Sequence, residues 1–401
     1  MIPKSGDRFS EKIMRKKKNA GQMRVAILGG GPAGLYLAYL LKRRDRAADI
    51  RVIEQNPAGA TFGFGVVFSD RALEFLTDDD PETFAAITPH LESWQDITLV
   101  HRGERIAIDG VGFAAIGRLK LLQLLQARAR LVGVSLEFER PVKSLAELDD
   151  PDLVVGADGV NSPVRRTHEA EFGSKVTQLT NRFAWFGAAK PFATLTQTFQ
   201  QTSRGSFNAH HYRYAPQMST FIVEVDEETF ARAGFERMDP NPAKAVCEEV
   251  FAETLEGQKL VSNNSIWRRF PVVYNARWSH ESRVLIGDAL HTAHFSIGSG
   301  TRLAMEDASA LDKALAEEPR DVPSALARFE ASRRPILEKL VAGANASADW
   351  YEHFADHMRL EPIDFAMSYV TRSGRIDLDR LRRLSPRFVA RYERERPARA
   401  G

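Results

Sequence analysis

Residues 24–54 constrain this chain more than any other stretch. Val25–Leu28 is a short apolar run of the kind buried on both faces of a parallel sheet. It enters Gly29-Gly-Gly-Pro-Ala-Gly34, a G-x-G-x-x-G turn, and Leu35, Ala38 and Leu41 continue at helical spacing. Gly29 permits the tight turn, Gly31 lets a pyrophosphate approach the backbone, and Gly34 lets the helix pack close to the strand. The N–H groups and positive dipole end of that helix then face the phosphates. A second strand, Ile50–Ile53, ends in Glu54, placed to accept a hydrogen bond from a ribose hydroxyl. The spacing predicts a dinucleotide-binding unit and does not distinguish NAD from FAD.

At 401 residues the chain is long enough for two interlocked domains. The net charge of +2 gives no nucleic-acid signature. Cys247 is the only cysteine, so an intramolecular disulfide and a dithiol flavin reductase are excluded. No apolar run is long enough for a membrane span, and a cytoplasmic protein is expected. Residues 1–22 are polar and basic without an apolar h-region, which reads as a disordered leader, with a membrane- or partner-binding arm as the other reading.

Further along, Phe62-Gly-Phe-Gly65 suggests backbone packed against a flat partner, or else a glycine-bulged strand. Asp70–Leu76 reads as a helix start, and Ile97–Ile108 as a hairpin around Arg102-Gly103-Glu104. Arg118 opens a helix against the dipole preference, which points to an anion nearby or to a surface salt bridge. A third apolar run, Leu153–Val155, enters a turn containing Asp158 and Gly159. Residues 176–275 are rich in aromatics and threonine and read as an inserted antiparallel sheet, with a polar helix from about Pro242 to Leu255. A buried strand then ends at Gly287-Asp288, followed by an extended loop to Gly300 and a helix from Thr301. A helix from Val322 to about Ala346 contains Pro335, which should kink it, and the basic tail from Arg372 is expected to cap the surface.

G-x-G-x-x-G, Asp158-Gly159 and Gly287-Asp288, in this order and spacing, resemble the group A flavoprotein monooxygenases, the single-component aromatic hydroxylases. The resemblance covers roughly residues 23–350. It implies an α/β fold: a Rossmann-like FAD-binding domain of the glutathione-reductase type, an inserted antiparallel β-sheet substrate domain, and C-terminal helices. The domain boundaries expected are 1–22 leader, 23–175 and 276–345 FAD-binding, 176–275 substrate-binding, and 346–401 helical tail. FAD is the implied cofactor, with NADH or NADPH as co-substrate, O₂, and a small aromatic substrate; no metal, nucleic acid or membrane is implied, and the chain is expected to be a monomer or homodimer.

In the family the first motif holds the ADP half of FAD, which implicates Gly29, Gly31, Pro32, Ala33, Gly34, Glu54 and Gln55 here. Arg118 matches the arginine that reaches the FAD phosphates. Asp158 and Gly159 serve FAD and the pyridine nucleotide, Gly287 and Asp288 the ribityl side. The loop to Gly298, Gly300 and Thr301 brings a helix N-terminus to the flavin pyrimidine, with Gly65 and Val66 also placed near FAD. His210, His294 and Tyr212 are the implied catalytic candidates, and Phe295, Ser296, Arg213 and Arg302 the substrate contacts. His210 and Tyr212 could equally be paired strand residues, and Arg302 a surface charge.

The sequence departs from the general family pattern where His294-Phe295 replaces a proline pair and Arg302 an asparagine. These departures, with Asn208-Ala-His-His-Tyr-Arg213 and Ser219-Thr-Phe-Ile-Val-Glu224, look closest to the branch of salicyloyl-CoA 5-hydroxylases and 2-aminobenzoyl-CoA monooxygenases. The implied reaction is hydride transfer from NAD(P)H to FAD, O₂ capture as a flavin C4a-hydroperoxide, and attack on an electron-rich ring, such as 5-hydroxylation of salicyloyl-CoA to gentisyl-CoA. A free indole or tryptophan-derived substrate, or a carrier-protein-bound aromatic, is the alternative. A non-catalytic FAD-fold binding protein is a more distant one. An NAD-only dehydrogenase leaves the two later motifs unexplained, and a flavin halogenase would need a W-x-W-x-I-P run that is absent.

Overall fold

Strand Arg24–Leu28 lies inside a six-stranded sheet, between Asp49–Ile53 and Leu153–Gly156 and parallel to both. Ser135–Glu137 extends it beyond Asp49–Ile53, Arg283–Leu285 extends it beyond Leu153–Gly156, and Ser279–His280 adds an antiparallel edge. The computed structural model describes residues 22–69, 72–319 and 321–395. Nearly all of the basic leader and the Asp70 start of the expected helix lie outside them; helix begins at Glu74. The apolar runs are buried because helices cover the sheet: Pro32–Arg44 packs against Arg118–Val132 and Gly300–Glu317. Gly29 has φ +104°, and a Cβ there would sit 2.2 Å from the Ala157 carbonyl oxygen. The glycine turn is thus wedged against the end of the neighbouring strand.

The second sheet runs Leu260–Ser262, Ser174–Ala188, Met218–Val225, Gly205–Ala215, Leu195–Thr202, Ile97–His101 and Glu104–Ile108. Its central strands are antiparallel, as expected of residues 176–275. The hairpin Ile97–Ile108 joins it through a parallel pairing with Leu195–Thr202. Strand alternation divides its residues between two faces. Ala184, Phe186, Phe207, Ala209, Phe221 and Val223 form one core with Cys247 and Phe251 of the following helices. That helical stretch runs Pro240–Val250, then Ala252–Leu255. The opposite face carries Phe183, Trp185, Gln197, His210, Tyr212 and Ile222.

Helix Val322–Glu352 continues through Pro335, six residues past the expected end. The tail differs more from expectation. Helices Pro362–Thr371, Leu378–Leu384 and Pro386–Glu395 do not merely cap the surface. Phe365, Tyr369, Leu381 and Phe388 are buried in one apolar cluster with Leu99, Ile106 and Ile108 of the hairpin. The hairpin's outer residues are apolar, so the tail supplies their cover. Among the described residues, no helix is long and apolar enough to cross a membrane.

Candidate active site

A cavity of ≈ 1640 Å³ is lined from both large sheets and from the C-terminal helices. It exceeds the roughly 300–1,000 Å³ of an ordinary small-molecule pocket, so it has room for more than one ligand.

The glycine turn forms one wall. Gly29, Gly31, Pro32 and Ala33 all reach it. A Cβ on Gly31 would meet no atom within 4 Å, whereas the other two motif glycines press on backbone. Folding alone therefore does not require glycine at 31, and the open space there fits a phosphate. Glu54 is fixed beside it: Oε2 accepts from Gly30 N at 2.7 Å, and Oε1 accepts from Asn56 N at 2.8 Å. Gln55 lies alongside.

Arg118 opens its helix on the cavity wall. Burial pulls its pKa down, with Asp288 and Tyr212 opposing. Its guanidinium has no carboxylate within 4.0 Å among the described residues, so the salt-bridge alternative finds no partner. Asp158 and Gly159 lie nearby on the wall. Burial pushes the Asp158 carboxyl up to about 6, and its Oδ1 is buried without a hydrogen bond. Asp288 is likewise raised by burial, although His291 and Arg118 oppose the shift. Its exposed surface faces the cavity.

Gly298, at φ +61°, turns the chain into helix Gly300–Glu317, whose first N–H groups take no capping bond from Ser299; that hydroxyl donates to Ile297 O at 3.3 Å instead. Gly298, Gly300, Thr301 and Val66 all line the cavity. Arg118 without a carboxylate partner and an open helix start together suit a dinucleotide with an anionic bridge, and the unbonded Asp158 Oδ1 suits a hydroxyl donor.

Gly34, Gly65 and Gly287 do not line the cavity. Each meets protein instead: a Cβ would lie 2.1 Å from Gly29 O, 2.5 Å from Tyr214 Cβ and 3.2 Å from Ala33 Cβ, respectively. The flat partners expected beside Phe62–Gly65 are the chain's own Trp185 ring, against Gly63, and Tyr214.

The second sheet supplies a histidine wall. His210 pairs across the ladder with Gln197 and Ile222, which puts all three on the cavity face with Tyr212. His210 donates or accepts at Nε2 with Glu224 Oε2, 3.0 Å away. Burial, reinforced by Arg372, pulls its pKa down to about 3. The Tyr212 hydroxyl is committed to the Gly65 carbonyl at 3.0 Å. Phe295 packs on Phe183 and His210, with ring centroids 4.9 and 5.1 Å away.

Two candidates are not brought to the cavity. Arg213 has the opposite strand parity to His210, and its Nε donates to Glu92 at 2.7 Å. His294 is turned inward, where its Nδ1 meets Ser296 Oγ at 2.8 Å and caps the turn Phe295–Ile297. Ser296 and Arg302 do line the cavity; Arg302 also pairs with Glu306 at 2.7 Å.

Sequence reasoning missed two groups. Glu224 sits 1 % exposed behind His210, and a lone acid at the end of an apolar strand was its signal. Arg372 comes from the tail: its Nη2 donates to Ser296 O and its Nε to Ser347 Oγ, both at 2.9 Å, so it clamps the loop that carries Phe295.

A dinucleotide turn joined to an aromatic-lined chamber fits a flavin-dependent oxygenase, and sequence comparison assigns that class. A family model for an FAD binding domain matches residues 146–344, and one for an NAD(P)-binding Rossmann-like domain matches residues 27–87. The chain is 43% identical over 361 residues to a salicyloyl-CoA 5-hydroxylase of Streptomyces sp, covering 88% of this chain and 70% of that one. It is 37% identical to the 3-hydroxy-4-methyl-anthranilyl-[aryl-carrier protein] 5-monooxygenase of Streptosporangium sibiricum, covering 88% and 95%. The crystal structure of P. aeruginosa PqsL in complex with 2-aminobenzoylacetate shares the fold, with TM-score 0.65 at 23% identity over 83% of this chain and 97% of that one. The chain belongs to the group A flavin monooxygenases, the FAD-dependent aromatic hydroxylases. It uses FAD, with NAD(P)H as co-substrate.

Proposed function

We propose that the substrate is a 2-hydroxybenzoyl thioester of coenzyme A, salicyloyl-CoA, hydroxylated at C5 to gentisyl-CoA. One observation carries this reading beyond the similarity to a salicyloyl-CoA 5-hydroxylase. Arg375 and Arg380 line the cavity, and among the described residues neither guanidinium has a carboxylate within 4.0 Å. Arg375 and Arg380 are exposed. Arginine pairs with phosphate through a planar fork of donors, and coenzyme A brings several phosphates.

In this reading residues 23–175 and 276–345 hold FAD, and residues 176–275 face the substrate. Gly29–Ala33 and Glu54 would hold the ADP half, and Arg118 would pair with its phosphates. Asp158 and Asp288 would hold the middle of the cofactor, and the start of helix Gly300–Glu317 would stabilise negative charge on the flavin. Bound and reduced by NADH or NADPH, FAD supplies an electrophilic oxygen derived from O₂. Phe183, Trp185, Ile222 and Phe295 present apolar surface that orients the ring and excludes water. The position para to the phenol oxygen is electron-rich and uncrowded, which selects C5.

A carrier-bound aromatic is the second reading, favoured by the similarity to an aryl-carrier-protein monooxygenase. The test is turnover of salicyloyl-CoA, salicylate and a salicyloyl carrier protein side by side under isotopically labelled O₂. The expected product is 2,5-dihydroxybenzoyl-CoA carrying one labelled oxygen. Label entering from water refutes oxygenation; preference for the carrier form replaces the first reading with the second.

A further inference from the structure

On the cavity wall, His210 is backed by Glu224, and the two form a buried pair. His210 is 4 % exposed and Glu224 1 %. Their Nε2 and Oε2 atoms are 3.0 Å apart. The other Glu224 oxygen accepts from Asn181 Nδ2 at 3.1 Å, and the same amide donates to Tyr351 O at 2.7 Å. Asn181 is held by an irregularity in its strand, where the register slips between Gln178 and Arg182. Glu352 secures that irregularity: its carboxylate accepts from Thr180 N at 2.6 Å and from Asn181 N at 3.0 Å. The carboxylate of Glu224 is therefore aimed at His210 by a chain of fixed contacts. The ring of His210 is held too, stacked on Tyr351 with centroids 4.9 Å apart.

This geometry leaves one nitrogen. With Nε2 committed to Glu224, Nδ1 is the ring nitrogen without a hydrogen-bond partner among the described residues, on a side chain that lines the cavity. A neutral imidazole has one N–H and one lone pair, and the bond at one nitrogen sets which the other presents.

We propose that Glu224 is a positioning residue and proton reservoir that decides whether His210 offers a donor or an acceptor to the cavity. When Glu224 is ionised it accepts from Nε2–H, and Nδ1 presents a lone pair. When Glu224 is protonated it donates to Nε2, and Nδ1 carries the hydrogen. The acceptor state removes a proton from a bound phenol in one balanced step. The phenol O–H breaks and Nδ1–H forms; Nε2–H breaks and Glu224 Oε2–H forms. Negative charge moves from Glu224 to the phenolate, the pair ends neutral, and the ring becomes more electron-rich. This last use rests on the phenolic substrate proposed above; the tautomer switch does not.

The electrostatics agree. Burial opposes charge on either member, so His210 alone is a poor cation. Burial raises the Glu224 carboxyl to about 7, with His294 and Asn181 pulling it down and Glu352 pushing it up. Arg372 from the tail disfavours an imidazolium at 210. A proton delivered to this pair is therefore better kept on oxygen than on the ring.

The first test is nitrogen NMR of the holoenzyme labelled at histidine, titrated without substrate. His210 Nδ1 is expected to change from N–H to lone pair as pH rises through about 7, and Glu224→Gln to abolish the change. A tautomer that stays constant in wild type, or a change that survives in Glu224→Gln, overturns the proposal. The second test measures salicyloyl-CoA hydroxylation against pH. Wild type should gain rate through the same pH range, and Glu224→Gln should lose roughly 100-fold with a flattened profile, the lower end expected of a general base. Glu224→Asp should restore part of the pH dependence. If wild type ignores salicyloyl-CoA while the NMR switch is present, the substrate reading fails alone. If Glu224→Gln hydroxylates with the wild-type profile, the reservoir role fails and the substrate reading stands.

Discussion

The Asp307 carboxylate accepts a 3.1 Å hydrogen bond from the backbone N–H of Gly287. Through it, helix Gly300–Glu317 fixes the turn that presents Asp288 to the cavity. The same oxygen lies 2.8 Å from His291 Nε2, and the other accepts from Arg333 Nε at 2.9 Å.

Asp307→Asn is expected to destabilise the fold by about 1–3 kcal/mol, because Arg333 loses one of its two carboxylate partners and keeps Glu306 at 2.9 Å. Burial alone would raise the Asp307 pKa, but His291 and Arg333 outweigh it and hold it below the ordinary carboxylate value. Its folded pKa is depressed, so its stabilisation is present above the unfolded value and lost as pH falls through the folded one. Denaturant midpoints at neutral and acid pH should therefore converge between wild type and variant on the acid side. Equal midpoints at neutral pH would remove the network from the stability argument.

Gly31 and Gly29 should behave oppositely. The Cβ that Gly31→Val adds meets no protein atom within 4 Å, so the chain should fold but emerge colourless. Gly29→Ala puts a Cβ 2.2 Å from a carbonyl oxygen at φ +104°, so it should lose stability first. Flavin absorbance after gel filtration and a thermal melt separate the two. A yellow Gly31→Val protein of full FAD content would sink the phosphate assignment.

Asp288→Ala should weaken FAD binding or slow flavin reduction while the melt stays cooperative. The side chain borders the cavity, with no hydrogen bond supporting the fold among the described residues. Fluorescence titration with FAD and stopped-flow reduction by NADH measure both effects; two unchanged values would take Asp288 out of the site.

Cys247→Ser should remain active. The thiol is fully buried in the core behind the second sheet, and burial raises its pKa strongly, which makes it inert. The serine hydroxyl enters an apolar setting, so stability should fall by roughly 1–3 kcal/mol. Loss of turnover in a folded variant would reveal a thiol function.

Local pattern made much of this molecule readable. The parallel strands announced themselves as apolar runs, and Gly29, Gly31 and Gly34 fixed the turn between them. What local pattern could not supply was parity and partnership. His210, Tyr212 and Arg213 are near neighbours in sequence, yet only the strand pairing with Gln197 and Ile222 decides that the first two face the cavity and the third faces Glu92. Gly65 and Gly63 asked for flat neighbours, and nothing local said these would be Tyr214 and Trp185. Glu224 and Arg372 act through residues distant in sequence, Asn181 and Ser296, so their roles emerge only on folding.

The sheet order has a consequence for how the protein is made. Gly29 and Glu54 leave the ribosome early, but Arg283–Leu285, Asp288 and helix Gly300–Glu317 follow only after every strand of the second sheet. The helices that cover the hairpin Ile97–Ile108 come later still. During synthesis, therefore, the nucleotide turn waits beside a half-built sheet, and the cofactor cannot be enclosed until most of the chain exists. Such distant pairings fold slowly and leave apolar strands uncovered meanwhile. A stalled or truncated chain ending near residue 275 should be held by chaperones or aggregate rather than accumulate as a flavin-loaded fragment.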